Sequence, residues 1–365
     1  MVDLTARPLR MLAVDVGGGT QDVLLYESDR PVENCVKLVL PAQTQVVATR
    51  VRQATAAGRA VYLSGELMGG GASGDAVEEH LAARLPVYAT ADAARTLHND
   101  LAKVTALGIR IVETPPADAV SVNFGDLDLD ALHAALSGFA IEPPELLAVA
   151  VQDHGYLPGR GGRDFRSEYL RGLLERGGEA AGMLFETPPE AMIRMWAVKR
   201  QFPHALVMDT GAAAVLGALG DPVVAQAART DGVILVNIGN LHTFAVAFRG
   251  ERIFGLFEHH TGGVTPEWLR YLVEQLRAGK LTHAEVKAQR GHGAAFSSDY
   301  AGAGGFAFVA VTGPNRAIAA PLGYHTAAPH GDMMLTGAYG LVEATLRRLE
   351  RGGFNPPVAT LMPGA

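Results

Sequence analysis

Two short stretches of the chain set an acid, or its amide, beside glycines in the way phosphate chemistry requires. The first runs Asp15-Val16-Gly17-Gly18-Gly19-Thr20-Gln21-Asp22, and the second Asn237-Ile238-Gly239-Asn240-Leu241-His242-Thr243. Glycines in a tight turn let successive backbone N–H groups converge on an anion. The candidate phosphate contacts are Gly17, Gly18, Gly19, Thr20 and Gln21 in the first stretch, and Gly239, Asn240 and His242 in the second. A carboxylate at a strand end beside such a concavity suits hydrated Mg²⁺, which makes Asp15 the candidate metal residue. Asn237 keeps the hydrogen bonds of an acid and drops its charge. Asp22 reads as a pin for the first turn. His242 could reach a terminal phosphate or serve the turn alone.

Further candidates lie where strands end, the usual place for sites. Asp153 and His154, straight after an apolar run, form a possible acid/base pair, with Arg160 or Arg163 as an anion clamp. A plain surface loop fits the same residues. Asp209 precedes Thr210-Gly211-Ala212-Ala213-Ala214, so it reads as a helix N-cap. The glycine-rich run from Ser64 to Gly74 lacks the Lys-Ser/Thr ending of a Walker A loop; its lack of bulk suits close approach of another segment. His259 and His260 are adjacent and so project differently, and no third ligand follows at a usual metal spacing; a structural or cleft-lining role is expected. Thr312-Gly313-Pro314-Asn315-Arg316 is a further cleft-lining segment.

The elements that must position these residues are legible as alternating patterns. Each glycine stretch lies between two apolar runs, Met11–Val14 with Val23–Tyr26 and Val233–Val236 with Phe244–Phe248, so each reads as a β-hairpin. Between the first hairpin and residue 205, strand and helix alternate. Strands are expected at 60–64, 87–89, 109–112, 120–124 and 147–151, and helices at 75–85, 92–106 (capped by Asp92) and 128–136. Later come a helix over 265–276 with Pro266 in its first turn, strands at 309–312 and 333–335, and a helix over 340–351. This is α/β material.

The first stretch, Asp15 to Asp22, resembles the phosphate-binding signature of the actin, Hsp70 and sugar-kinase superfamily, and Asn237 to Thr243 resembles its second phosphate loop. The run Asp209 to Gly217 is similar to the helix start that opens the superfamily's second lobe. Met333-Met334-Leu335-Thr336-Gly337-Ala338-Tyr339-Gly340 is similar to its adenosine-contacting strand and turn. The four segments occur in the superfamily's order. The resemblance implies a two-lobed α/β actin-like ATPase (ribonuclease H-like) fold with a nucleotide cleft between the lobes, and ATP and Mg²⁺ as cofactors. It implies a first lobe over 1–205 carrying an α/β insertion, a second lobe over 206–339, and a C-terminal helix over 340–365 that returns to the first lobe. Gly337, Ala338 and Tyr339 would touch the adenosine, with Ala338 replacing the second glycine of that turn. Asp209 would be the base, as in sugar kinases, and Asn237 stands where hydrolysing members carry an acid.

Three functions stay open on this reading: an ATP-dependent phosphotransferase or ATPase, a nucleotide-switched protein acting on a small molecule or client protein, and a member that keeps the fold without nucleotide. The whole chain is also similar to a prokaryotic family that carries a pyruvate formate-lyase activating enzyme label. A radical-generating activase needs several cysteines for its iron–sulfur cluster. This chain of 365 residues has one, Cys35. The same count excludes a disulfide framework and fits a reducing compartment, so a cytoplasmic protein is expected. A net charge of −7, with no basic stripe, argues against nucleic acid as a partner. No apolar run is long enough to predict a membrane span.

Overall fold

The computed structural model describes residues 8–157, 162–300 and 304–351. Two mixed sheets repeat one plan. In the first, β1 (Arg10–Val16), β2 (Thr20–Glu27) and β3 (Val36–Pro41) form an antiparallel meander. Strand β1 then pairs in parallel with β8 (Leu146–Val151), and β8 with β10 (Leu206–Asp209); the short β9 (Leu184–Phe185) closes the far edge. In the second, β11 (Val233–Ile238), β12 (His242–Arg249) and β13 (Arg252–His260) repeat the meander. Strand β11 pairs in parallel with β15 (Phe308–Thr312), and β15 with β16 (His325–Thr326), while β14 (Gly293–Phe296) adds to β13.

Between β3 and β8 the chain builds a separate parallel sheet of β4 (Val61–Gly65), β5 (Val87–Ala89), β6 (Arg110–Ile111) and β7 (Val120–Phe124), in the order β6-β5-β4-β7. This is the α/β insertion, with its own core of Val61, Leu63, Val122 and Phe124 under helix Gln43–Ala56. The helix expected over 92–106 is two short ones, Ala91–Ala94 and Leu101–Ala106, capped by Thr90 and Asp100 instead of Asp92. The first sheet runs on through β10, so the chain leaves it after Asp209, past the expected boundary at 206.

The unbroken apolar run of β1 follows from burial on both faces. Met11 and Ala13 join a central core with helix Thr210–Ala218 and helix Thr336–Glu350. Leu12 and Val14 face Leu129, Leu132, Met192 and Met195 on the other side. The second sheet does the same: Val233 and Leu235 share the central core, while Ile234 and Val236 pack on helix Pro266–Arg277.

The two central helices cross at backbone contact. A Cβ on Gly217 would lie 1.7 Å from the Thr336 carbonyl oxygen, and one on Gly340 would lie 1.8 Å from that of Ala213. Helix Thr336–Glu350 also packs on β1, β2 and β8 of the first sheet. Residues beyond 351 in the expected 340–365 segment lie outside the described residues. No single helix among the described residues is long and apolar enough to cross a membrane.

Candidate functional site

The two glycine turns are built alike, bond for bond. The Gly17 N–H donates to the Thr20 carbonyl at 2.8 Å, and the Gly239 N–H donates to the His242 carbonyl at 2.9 Å. Each turn is then braced from the end of its third strand, by Ala42 N–H to the Gly19 carbonyl at 3.0 Å and by Thr261 N–H to the Leu241 carbonyl at 2.9 Å. The turns also meet. The Leu241 side chain sits where a Cβ on Gly18 would come within 2.8 Å of it, and the Asn240 amide comes within 2.7 Å of a Cβ on Gly19. A side chain at either glycine would have to displace Leu241 or Asn240.

Beside this contact lies a cavity of about 340 Å³. Gly17 and Gly18 border it from the turn after β1, and Asn237, Gly239, Asn240 and His242 from the end of β11 and the turn that follows. The insertion contributes Gly69, Gly70 and Gly71, and the Gly69 backbone lies against the Arg194 guanidinium, the close approach expected of that run. Thr20 and Gln21 do not border the cavity: Gln21 is buried, and its amide donates to the Pro41 carbonyl at 3.0 Å.

Asp15 stands just behind the wall. Its Oδ1 accepts from the Thr210 hydroxyl at 2.6 Å, and its Oδ2 abuts Gly337, where a Cβ would come within 1.8 Å. Across the ladder it faces Asp22, whose Oδ1 is buried without a hydrogen-bond partner. Burial, with a small repulsion from Asp209, raises the Asp15 pKa to about 6 against the Thr210 hydrogen bond. Burial and then repulsion from Asp15 raise Asp22 to about 8. The pair therefore shares protons near neutrality.

A buried arginine joins the two six-stranded sheets. Arg166, on helix Gly162–Glu175, donates from Nη1 to Asp209 Oδ2 at 2.5 Å and from Nε to Glu258 Oε2 at 2.6 Å. All three residues are at most 2 % exposed. Asp209 belongs to β10 of the first sheet and Glu258 to β13 of the second. Asp209 Oδ1 also accepts from the Gly211 and Ala212 N–H groups, at 2.9 and 3.3 Å, so the N-cap expected of it is formed. Burial works to raise Glu258, and the Arg166 guanidinium overcomes it, leaving that carboxylate below its usual range. Sequence reasoning missed both Arg166 and Glu258. The one available signal was an acid in the otherwise apolar run Phe254-Gly255-Leu256-Phe257-Glu258.

Asp153 and His154 do not form the acid/base pair expected of them. Asp153 turns to the start of helix Ile193–Gln201, where Oδ2 accepts from the Arg194 and Met195 N–H groups at 2.8 and 2.9 Å. That helix has no side-chain cap of its own, and its free N–H groups need an acceptor. Arg160 and the Arg163 side chain lie outside the described residues. His154 turns the other way, into a group of histidine rings. Its centroid is 5.2 Å from His242 and 5.1 Å from His292, and His260 is 4.9 and 4.7 Å from those two. One ring nitrogen from each of His154, His242 and His292 lies within 4.8 Å of the others. Burial pushes His242 down to about 4 and His154 well below the usual histidine value.

The expected adenosine-contacting strand at 333–335 is absent; the chain turns there and enters helix Thr336–Glu350. Gly337, Ala338 and Tyr339 sit in its first turn, buried, and none of the three borders the cavity. Glycine serves here to let backbone and Asp15 approach, which a sequence pattern does not distinguish from a ligand turn. The segment Gly313–Arg316, after β15, lies nearer the phosphate-type turn: the Asn315 side chain donates to the Gly239 carbonyl at 2.9 Å.

Residues 68–318 match the family described as "Putative pyruvate format-lyase activating enzyme (DUF1786)". No curated protein matches the chain. A solved structure titled as an exopolyphosphatase-like protein is similar at 11% identity, covering 94% of this chain and 90% of that chain, with a TM-score of 0.28. The chain's one cysteine, Cys35, is buried, and a single thiolate is too few to hold an iron–sulfur cluster. The matched span covers more than half of the sequence, taking in the histidine group, Arg166 and the second sheet up to β15 while leaving out β1 to β4, and the chain belongs to this family.

Proposed function

We propose that the protein is a two-lobed, actin-like nucleotide-binding protein that takes MgATP between its lobes and responds mainly by moving them. The observation that carries this reading is the pair of like-built turns, Gly17–Gly18 and Gly239–His242, bordering one cavity. Backbone N–H groups from both sides would hold phosphates there. Binding is favoured over fast turnover by two features. Asn237 brings no charge to the cavity, and the Asp209 carboxylate is already engaged by Arg166 and two backbone N–H groups. A general base must reach the proton it removes, and this one is enclosed.

Lobe movement is favoured by the contact between the turns. A cavity of about 340 Å³ is at the small end of ligand sites, which span roughly 300–1,000 Å³. Admitting a whole nucleotide would unseat Leu241 from Gly18 and part the lobes. A small molecule or client protein that discriminates the two spacings would then read the nucleotide state. Mg²⁺ would arrive on the phosphates. Asp15 would meet it only through the Thr210 hydroxyl or by giving that hydroxyl up.

The test is thermal stability with ligand. MgATP at 100 times its Kd should add about 2.7 kcal/mol and raise Tm. Leu241→Ala, which clears the seat on Gly18, should tighten binding while phosphate release stays slow. No Tm change with millimolar MgATP or MgADP, in either protein, would sink the reading.

A further inference from the structure

We propose that His154, His242 and His292 bind one divalent transition metal, zinc above all, as a clip between the two lobes at the cavity wall. The ligands come from separate places in the chain. His154 follows β8 of the first sheet, His242 opens β12, and His292 immediately precedes β14. One nitrogen from each ring lies within 4.8 Å of the other two. Tetrahedral zinc holds imidazole nitrogens at about 2.0–2.1 Å, which sets them about 3.3 Å apart, so modest ring rotations would close the set.

Three further features support a metal over packed, idle rings. The His242 Nε2 atom is buried with no hydrogen-bond partner, a cost that a metal bond would remove. The Glu258 carboxylate lies 3.6 Å from His292 Nδ1, placing an acid behind a ligand ring, as metal-bound histidines commonly have. His260, opposite His242 across the β12–β13 ladder, has its Nε2 at 3.3 Å from that of His292 and backs the same site. Imidazole donors without carboxylate or thiolate suit zinc and its neighbours, whereas Mg²⁺ prefers oxygen. His154 and His242 border the cavity, so the coordination position left by three protein ligands opens toward it. An anionic group entering the cavity, phosphoryl or carboxylate, could bind the metal there directly.

The experiment uses the full chain, freed of any affinity tag, stripped with EDTA, and titrated with Zn²⁺ or Co²⁺ alone. No nucleotide is present, so the result does not depend on the nucleotide reading. One equivalent should bind, with a raised Tm. The Co²⁺ form should show the intense visible bands of a four-coordinate ion, and zinc X-ray absorption should show three imidazoles. His154→Asn and His242→Asn should each weaken binding roughly tenfold or more, the least expected for a ligand when removing a mere supporting group costs about 10–100-fold. His98→Gln, on an exposed histidine elsewhere, should leave it unchanged. Failure of the unsubstituted chain to bind one equivalent, affinity unchanged in both His154→Asn and His242→Asn, or absorption lacking imidazole scattering would each overturn the proposal. The absorption measurement needs no variant, so it decides even where a substituted chain fails to fold.

Discussion

In the first sheet the turn after β1 sets Asp15 opposite Asp22, whereas in the second sheet the turn after β11 sets Asn237 opposite Phe244. One step further, Thr20 pairs with Pro41 in the first sheet, and His242 with His260 in the second. The backbone bonds of the two turns match within about 0.1 Å. The same scaffold thus carries a carboxyl pair on one side of the cavity and a histidine group on the other. Backbone geometry supplies the concavity, and side chains decide what each half does with it.

The largest effect is expected where the two halves are pinned together. Arg166→Ala would leave Asp209 and Glu258 buried without their shared cation and should cost about 3–5 kcal/mol by denaturant unfolding. Arg166→Met combined with Asp209→Asn and Glu258→Gln should recover most of that loss, since no uncompensated charge remains. A small loss in the single variant would show that the lobes do not depend on this network.

The carboxyl pair gives the next effect and removes a difference between the turns. Asp22 has its folded pKa raised to about 8, and Asp15 to about 6, so the folded protein holds more protons than the unfolded chain above about pH 4. Their contribution is fully present below the unfolded carboxylate pKa and is lost as pH rises through 6 and then 8. Asp22→Asn should flatten that decline and stabilise the protein at pH 8 by on the order of a few kcal/mol. Equal pH slopes in urea titrations of the two proteins would remove the shared-proton account.

The smallest effects compare the turns directly. A Cβ at Gly17 would meet the Thr20 carbonyl oxygen at 3.0 Å and one at Gly239 the His242 carbonyl at 2.9 Å, so alanine at either should cost about 1–3 kcal/mol, nearly alike. Gly18→Ala should cost less, because it meets only the Leu241 side chain, which can turn away. Thermal unfolding of the three variants checks the order; unequal losses at 17 and 239 would break the equivalence.

How much of this was legible in the sequence follows from how local each signal is. Hairpins and isolated strands show in short apolar runs: 120–124 was read to the residue, as was 87–89. Asp209 caps its helix, and the helices expected from 128 and 265 begin one residue later, at Leu129 and Pro266. Strands β3 and β13 went unread because one is amphipathic only in tertiary context and the other runs into the histidines. The histidine group itself is non-local. His154, His242 and His292 show no metal spacing along the chain, and only the two sheets bring their rings together. Asp153 misled for the opposite reason, since its neighbour in sequence was not its partner in space. The glycines at 337 and 340 carry a signal that close packing and ligand contact write in the same letter.

The crossing of helix Thr210–Ala218 with helix Thr336–Glu350 has a mechanical meaning. With Gly217 and Gly340 pressed on opposing carbonyls, the two rods can neither slide nor separate without losing contact along both. They act as the spine of a book whose facing pages are the two sheets. On the proposed reading, a parting of the pages would be a rotation about that spine. The edges that travel most are those farthest from it, so a small torque at the spine and a large displacement at the outer rim are one motion.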